Sequence, residues 1–425
     1  MKSEWPTGHL GDNAETCLGK MLDAKKNRGV LQPYLGNANV QWGQFNLDDL
    51  QCMRFEPDEE ARYSVSEGDL IVCEGGEPGR CAIWHGQVPN MKLQKALHRV
   101  RVKPSLDNYF LYYWLNHAAR TGELEVFFTG TTIKHLTGRA LRALQIPLPP
   151  IEEQKSISTA LRALDEKIAN NGALAANLES IARAVFKSWF VDFDPVRAKM
   201  EGREPEGMDP EIAALFPDRL VESELGLVPK GWNVRPISNL CEIVGGATPS
   251  TKEPEYWENG EFAWATPKDL ANLSVPVLRQ TARHITYAGV SRVSSGLLPP
   301  GTVLLSSRAP IGYLAINTLP AAINQGFIAM KPSQGVSNVF LLYWAQASQD
   351  MIVANANGST FQEISKKSFR PLPVIAPPQS VMGAFDEIVR SLFNRVAVLE
   401  EESAALAEAR DALLPRLISG MVKLQ

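Results

Sequence analysis

From Phe385 onward, apolar and small residues recur at 385, 389, 392, 396, 399, 403, 406, 410, 413 and 417, in alternating steps of four and three. Only Ser403 and Arg410 in that series are polar. A 3.5-residue repeat held over more than four heptads predicts a long helix with a coiled-coil seam. A second seam runs through Ile157, Leu161, Leu164 and Ile168, breaks phase at Asn170-Asn171-Gly172, and resumes at Leu174, Leu178, Ile181 and Val185. Helices over about 152–190 and 380–418 would each be roughly 58 Å long at 1.5 Å per residue. Elsewhere the pattern shortens. Apolar runs such as Leu70-Ile71-Val72-Cys73, Val303-Leu304-Leu305 and Phe327-Ile328-Ala329-Met330 are bounded by Gly and Pro. They predict short β-strands between turns, with a few helices such as one near 108–116.

The two seams belong to a tandem repeat with a period near 230 residues. Trp5 and Gly19 are fourteen apart, as are Trp232 and Gly246. Glu67-Gly-Asp-Leu-Ile-Val matches Pro300-Gly-Thr-Val-Leu-Leu, and Phe110-Leu-Tyr-Tyr-Trp matches Phe340-Leu-Leu-Tyr-Trp. Gly130-Thr-Thr-Ile pairs with Gly358-Ser-Thr-Phe, and Pro149-Pro150 with Pro377-Pro378. Equal seams in a duplicated chain pack most simply on each other, antiparallel and with pseudo-two-fold symmetry. The expected fold is α+β and dumbbell-like. Mixed α/β globular domains at 1–150 and 231–378 are joined by helices within 151–190 and 379–425, with a connection at 191–230. The competing reading lays each helix on its own domain or on a partner.

Charge sharpens this picture. The 43 Lys and Arg nearly cancel the 47 Asp and Glu, which excludes a globally basic nucleic-acid glove. Locally the balance shifts: residues 92–142 carry 9 basic against 3 acidic side chains, and residues 231–378 carry 11 against 8. The segment 201–230, with 3 against 8, reads as an acidic solvated linker. Positive charge late in each globular part is where phosphate contacts would fall; a solvated basic face is the bland alternative. Five cysteines without a C-x-x-C pair argue against a disulfide framework or structural zinc and suit a reducing cytoplasm. No stretch reads as a signal peptide or membrane span: the longest uncharged run, 309–330, is broken by Pro310, Asn317, Pro320, Asn324 and Gln325.

Recognisable catalytic chemistry is missing from the sequence. It has no G-x-x-x-x-G-K-[ST] loop, no H-E-x-x-H and no G-x-S-x-G. None of its Pro-Pro pairs carries the Asn and aromatic that amino-methyltransferases use on a flipped base. Asp48-Asp49 and Asp192-Phe193-Asp194 could hold a metal in principle, but such pairs more often cap turns.

The chain resembles the DNA-specificity (S) subunit of type I restriction-modification systems over nearly its full length. Four stretches carry the resemblance: Pro33-Tyr-Leu-Gly-Asn-Ala-Asn-Val40, Leu148-Pro-Pro-Ile-Glu-Glu-Gln-Lys155, Phe186-Lys-Ser-Trp-Phe-Val-Asp-Phe-Asp-Pro195 and Glu224-Leu-Gly-Leu-Val-Pro-Lys-Gly-Trp232. Leu413-Leu-Pro-Arg-Leu-Ile-Ser-Gly420 matches the closing helix. Gly36 departs where a basic residue is common, and Gln379-Ser380 replaces the Glu-Gln of the first copy. The resemblance implies two target-recognition domains, each reading half of a split, asymmetric site in double-stranded DNA. It further implies paired helices that act as a ruler, two modification subunits binding S-adenosylmethionine, and two restriction subunits using ATP and Mg. This chain itself would hold no cofactor or metal and would perform no catalysis.

For phosphate contacts the candidates are Lys92, Lys95, Arg99, Lys134 and Arg139 in the first half, and Lys252, Lys268, Arg308, Lys366, Lys367 and Arg370 in the second. The turns at Gly130-Thr131-Thr132 and Gly358-Ser359-Thr360 precede helical patterns, so Thr131, Thr132, Ser359 and Thr360 could cradle a phosphate or act as plain N-caps. Arg80, Arg283 and Arg308 are candidate base readers, because a guanidinium reads guanine bidentately. Half-sites should lie about a helical turn, ~10 bp, apart. Trp189, Phe190 and Phe193 are the candidate partner-binding cluster; the alternative places them in the core. Two rival functions stand beside this reading: a stand-alone DNA-binding protein, and a coiled-coil scaffold for other proteins.

Overall fold

The computed structural model describes residues 5–23, 27–130, 132–308, 310–358 and 362–423. Contacts gather the chain into two compact units, residues 1–168 with 405–425, and residues 169–404. Both unit boundaries lie inside the long helices, Ile151–Phe190 and Gln379–Ile418. Each helix therefore contributes one end to each unit.

In the first unit a four-stranded antiparallel sheet runs in the order Ala14–Leu18, Leu97–Val102, Leu70–Cys73, Cys81–Ile83. The helix Asn108–Arg120 covers one face, burying Phe110, Leu111 and Trp114 against Leu70, Val72 and Ile83. The other face packs Ile71, Cys73 and Trp84 against Leu35, Met91 and Leu93. Leu35 and Leu93 belong to a smaller sheet ordered Gln51–Phe55, Val30–Leu35, Lys92–Leu93. The second unit repeats the plan. Cys241–Gly245, Phe327–Pro332, Val303–Ser306 and Leu314–Asn317 form the same order, extended by Val277–Leu278, and the smaller sheet runs Arg283–Ile285, Phe262–Ala265, Ala321–Ile323.

The repeat holds at the level of single bonds. Leu70 lies between Ile83 and Val100 as Val303 lies between Ile316 and Met330. The helix after the sheet is capped by the Asp107 carboxylate in one unit and the Ser337 hydroxyl in the other. The next residue repeats a bond: Asn108 Nδ2 donates to Gly68 O at 3.0 Å, and Asn338 Nδ2 to Gly301 O at 3.0 Å. Gly19 and Gly246 pass close to a neighbouring strand end. An added Cβ would sit 2.3 Å from Gln94 O and 1.9 Å from Ile323 O, so neither position admits a side chain.

The helices pair antiparallel within each unit. In the first, Arg410 bonds Asp165 at 2.7 Å; in the second, Asn171 bonds Glu402 at 3.0 Å and Phe186 packs on Phe385. The expected phase break at Asn170-Asn171-Gly172 does not interrupt the helix. Asn171 is itself a buried seam position, and the buried face continues through Ala175, Ala182 and Phe186. Leu174 and Ile181, expected in the seam, are 42% and 51% exposed. Small alanines take the buried positions here, and the larger side chains turn outward. Leu413 is likewise outside, and Leu414 takes the buried place. No helix among the described residues is long and apolar enough to cross a membrane.

Candidate nucleic-acid interface

Three connections meet at one end of the main sheet in each unit. In the first, the hairpin between Leu70–Cys73 and Cys81–Ile83 is rich in glycine, with Gly76 and Gly79 at φ +77° and +94°, a conformation that glycine adopts without a Cβ penalty. Beside it a loop is closed by paired backbone bonds of 2.9 and 2.8 Å between Thr129 and His135. Leu136 N then donates to Glu74 O at 2.7 Å, tying loop to hairpin. Arg80 joins the third loop, donating to Asn37 O at 3.1 Å. The second unit repeats this with Asn357 and Glu363, whose paired bonds are both 2.9 Å, and with Ile364 N to Ser307 O at 2.9 Å. In place of its third loop stands the short helix Pro267–Ala271, where Thr266 N donates to Asp269 at 2.7 Å as Gly36 N donates to Asn39 at 2.8 Å before the turn Asn37–Asn39.

Downstream of the expected phosphate turns, the helices that follow are N-capped by Thr137 and Ser365. Thr132 is exposed, whereas Thr131, Ser359 and Thr360 lie outside the described residues.

Several candidate cations are exposed on these loops or beside them. Lys134 sits on the first unit's loop, 3.3 Å from Glu125, and Arg139 is exposed on the helix Gly138–Ala143. Lys95, partly buried, lies in the turn before Leu97. In the second unit Lys252, Lys268 and Lys367 are exposed. Lys366 is exposed with its chain over Gly245, and Arg370 is exposed but donates to Ile243 O at 3.2 Å. Arg308 is half-buried, 3.8 Å from Glu363. Arg283 is exposed on a sheet edge, stacked on Trp257.

Lys92 and Arg99 are corrections. Lys92 is 1% exposed, pairs with Glu60 at 2.7 Å and donates to Ser64. The hydrogen bond from Lys92 to the Glu60 carboxylate holds that carboxyl below its ordinary value. Arg99, 7% exposed, donates to Ser64 O. Arg99 lies on an interior strand of the main sheet, and Lys92 on an edge strand of the smaller one that is bridged to Ser64; both cations are buried and fasten the turn at 60–64 to the sheets. Trp189, Phe190 and Phe193 are a third correction. All are buried, against Phe216, Phe340, Phe385 and Trp232. The exposed apolar side chains nearby are Val191, Leu225 and Leu227, which border a cleft of about 480 Å³ with Arg197 and Met351. The reading from sequence also passed over Gln51, which only strand pairing brings into view.

Among the described residues no group of three or more His, Cys, Asp and Glu side chains gathers to hold a metal. Asp192 is ion-paired with Lys187.

Comparison with known proteins follows the same division. The model of the type I restriction modification DNA specificity domain matches residues 2–180 and again 229–406. The specificity subunit of the type I restriction enzyme HindI from Haemophilus influenzae is 28% identical over 465 residues, covering 99% of this chain and all of that protein (100%). The MjaIX specificity subunit from Methanocaldococcus jannaschii is 36% identical over 189 residues, 42% of this chain and 44% of its own. A crystal structure of the S subunit of a type I system from M. genitalium shares the fold, with a TM-score of 0.57 at 17% identity over 98% of this chain and 96% of that one.

Proposed function

The chain belongs to the type I restriction modification DNA specificity family, and we propose that it recognises a bipartite, asymmetric site in double-stranded DNA for a restriction-modification complex. It is the non-catalytic recognition subunit. Each unit reads one half-site with the connections at its sheet end, and the paired helices set the unread spacer. Two modification subunits binding S-adenosylmethionine and two restriction subunits using ATP and Mg supply the chemistry, in the cytoplasm. Partner docking is assigned to the helix surfaces and to the Val191, Leu225 and Leu227 face in place of the buried aromatics.

One observation carries the reading: the family match falls once on each copy, and each copy bears the same loop cluster built by the same backbone bonds. Exposed cations on the two clusters supply the phosphate attraction, which salt should weaken steeply. Long-read methylation sequencing tests it in cells carrying this gene with its partner subunits, against cells lacking this gene alone. Loss of methylated adenine from one bipartite motif is the expected result. An unchanged methylome, with the modification subunit expressed, overturns it.

A further inference from the structure

Three arginines were expected to read bases, and the structure treats them differently. Arg80 is only 16% exposed and is engaged by Glu77 at 3.2 Å and by Asn37 O. Arg308 faces the Glu363 carboxylate. Arg283 is exposed and has no ion pair among the described residues.

It is nevertheless held. Its guanidinium lies 3.9 Å from the Trp257 ring centroid and 5.2 Å from that of Trp264. Those rings meet edge to face at 4.9 Å and 81°. Trp257 is pinned by its indole N–H, which donates to Ser250 O at 2.9 Å. Below the side chain, Thr281 accepts from Trp264 N at 3.2 Å and donates to Arg283 O at 2.7 Å. A guanidinium stacked on aromatic faces keeps its in-plane N–H fork for another ligand. Rotamer freedom that a free arginine would lose on binding is already restricted here.

The repeat gives this place a meaning. Arg283 pairs across the sheet with Trp264, and Gln51 pairs in the same way with Tyr34. The two central strands are equivalent: each runs parallel to its third strand, through Leu35 with Leu93 and Ala265 with Ile323. Gln94 N donates to Leu35 O at 3.1 Å as Asn324 N donates to Ala265 O at 3.0 Å. One exposed position in a shared frame thus carries arginine in one unit and glutamine in the other. These side chains match different purines in the major groove: arginine the O6 and N7 of guanine, glutamine the N6 and N7 of adenine.

We propose that Arg283, held on Trp257, reads a guanine in the half-site of the second unit, and that Gln51 is its adenine-reading counterpart in the first. This rests on the DNA-recognition reading above. The test uses the full chain assembled with its modification partner and a DNA library randomised over both half-sites. Wild type should select a guanine in the second half-site. Arg283→Ala should relax that one base by roughly 5- to 150-fold in discrimination, leaving the other half-site unchanged. Arg283→Gln should move the preference at that base towards adenine, and Arg283→Lys should keep affinity but blunt selectivity. A uniform loss of affinity across all sequences would make Arg283 a phosphate contact and overturn the proposal; so would an unaltered motif or a second half-site without a required guanine. If Arg283→Ala fails to fold, the lysine and glutamine variants decide. No bipartite motif in the wild type would instead sink the underlying reading.

Discussion

Arg410 occupies a seam position where the heptad pattern asks for an apolar side chain, which makes it the sharpest test of how the helix ends are held in the first unit. Its guanidinium bonds Asp165 at 2.7 Å and Asp411 at 2.8 Å. Asp165 also receives the Tyr113 hydroxyl at 2.6 Å, and Arg120 reaches Asp411 at 2.9 Å. Arg410 is 23% and Asp165 33% exposed. The pair therefore falls between an exposed ion pair, worth about 0–1 kcal/mol, and a buried one whose breakage costs about 3–5 kcal/mol. Arg410→Met should cost about 2 kcal/mol on that interpolation, because it leaves Asp165 half-buried with Tyr113 alone. Asp165→Asn still accepts from Tyr113, and combined with Arg410→Met it removes the stranded charge. The double variant should therefore be at least ~1 kcal/mol more stable than the two single losses predict. Hydrogen exchange of the amides in 108–120 and 151–168 reads this locally, without requiring both units to unfold together. The Arg162–Glu166 pair, 41% and 61% exposed, is the control and should show no more than about 0.5 kcal/mol of coupling. Additive effects at Arg410 and Asp165 would refute the view that this ion pair secures the seam.

Other consequences are quickly checked. Gly246→Ala and Gly19→Ala should abolish soluble expression, since the new Cβ would overlap a backbone carbonyl. By contrast, Gly172→Ala and Gly383→Ala meet nothing within 4 Å on the long helices and should raise stability by about 0.5–1 kcal/mol each in denaturant melts. Burial pulls the His98 pKa below its ordinary 6.5 while the ring bonds Leu136 O. With a lowered native pKa the unfolded chain binds the extra proton, so this contribution is full above pH 6.5 and falls as pH drops below it. His98→Gln should flatten the decline in first-unit stability between about pH 7 and 5, by about 1 kcal/mol per pH unit at most; an unchanged slope would refute it. Burial also pushes the Cys73 thiol up to about 11 and Cys241 to about 12. A thiol reagent at neutral pH should thus label exposed Cys52 promptly and reach Cys73, Cys81 and Cys241 only on unfolding, as mass spectrometry would read.

The duplication and the two helices were legible because both leave periodic marks, and the observed ends, Ile151–Phe190 and Gln379–Ile418, fall within a residue of those marks. What went astray followed from reading residue type for location. The heptad pattern points to large apolar residues for the seam, yet Ala175 and Ala182 are the buried positions while Leu174 and Ile181 are exposed. Basic residues were taken for surface, yet Lys92 is drawn inside by Glu60 and Ser64, which lie some thirty positions away in the chain and become neighbours only through the fold. Trp189, Phe190 and Phe193 read from sequence alone as a docking patch or as core. Their partners Phe340, Phe385 and Trp232 come from distant segments, so no local signal announces that the cluster is a core.

Why the frame repeats so faithfully while the readers differ follows from where the bonds lie. The donors Asn108 and Asn338, the carbonyls of Gly68 and Gly301, and the glycines at 19 and 246 satisfy or avoid backbone groups within the fold. A buried carbonyl left without its donor costs about 1–3 kcal/mol, so such positions tolerate little change in either copy. Gln51 and Arg283 bear no such burden: both are exposed on edge strands, and among the described residues their side chains engage only other side chains, Gln51 donating to Asp49 at 2.9 Å and Arg283 lying over Trp257. Either can be exchanged without unpairing the strand beneath it, since the ladder bonds are made by the backbone alone. A duplicated chain built this way can alter the base read by one half and leave the other half, and the helices between them, untouched. The division predicts its own exception: Trp257, although near the surface, should resist replacement by leucine, because removing its ring frees Arg283 to sample other rotamers. Trp257→Leu should then weaken selection at the Arg283 base while leaving the melting temperature within a few degrees of wild type. A variant that keeps full selectivity would show that stacking contributes nothing to recognition.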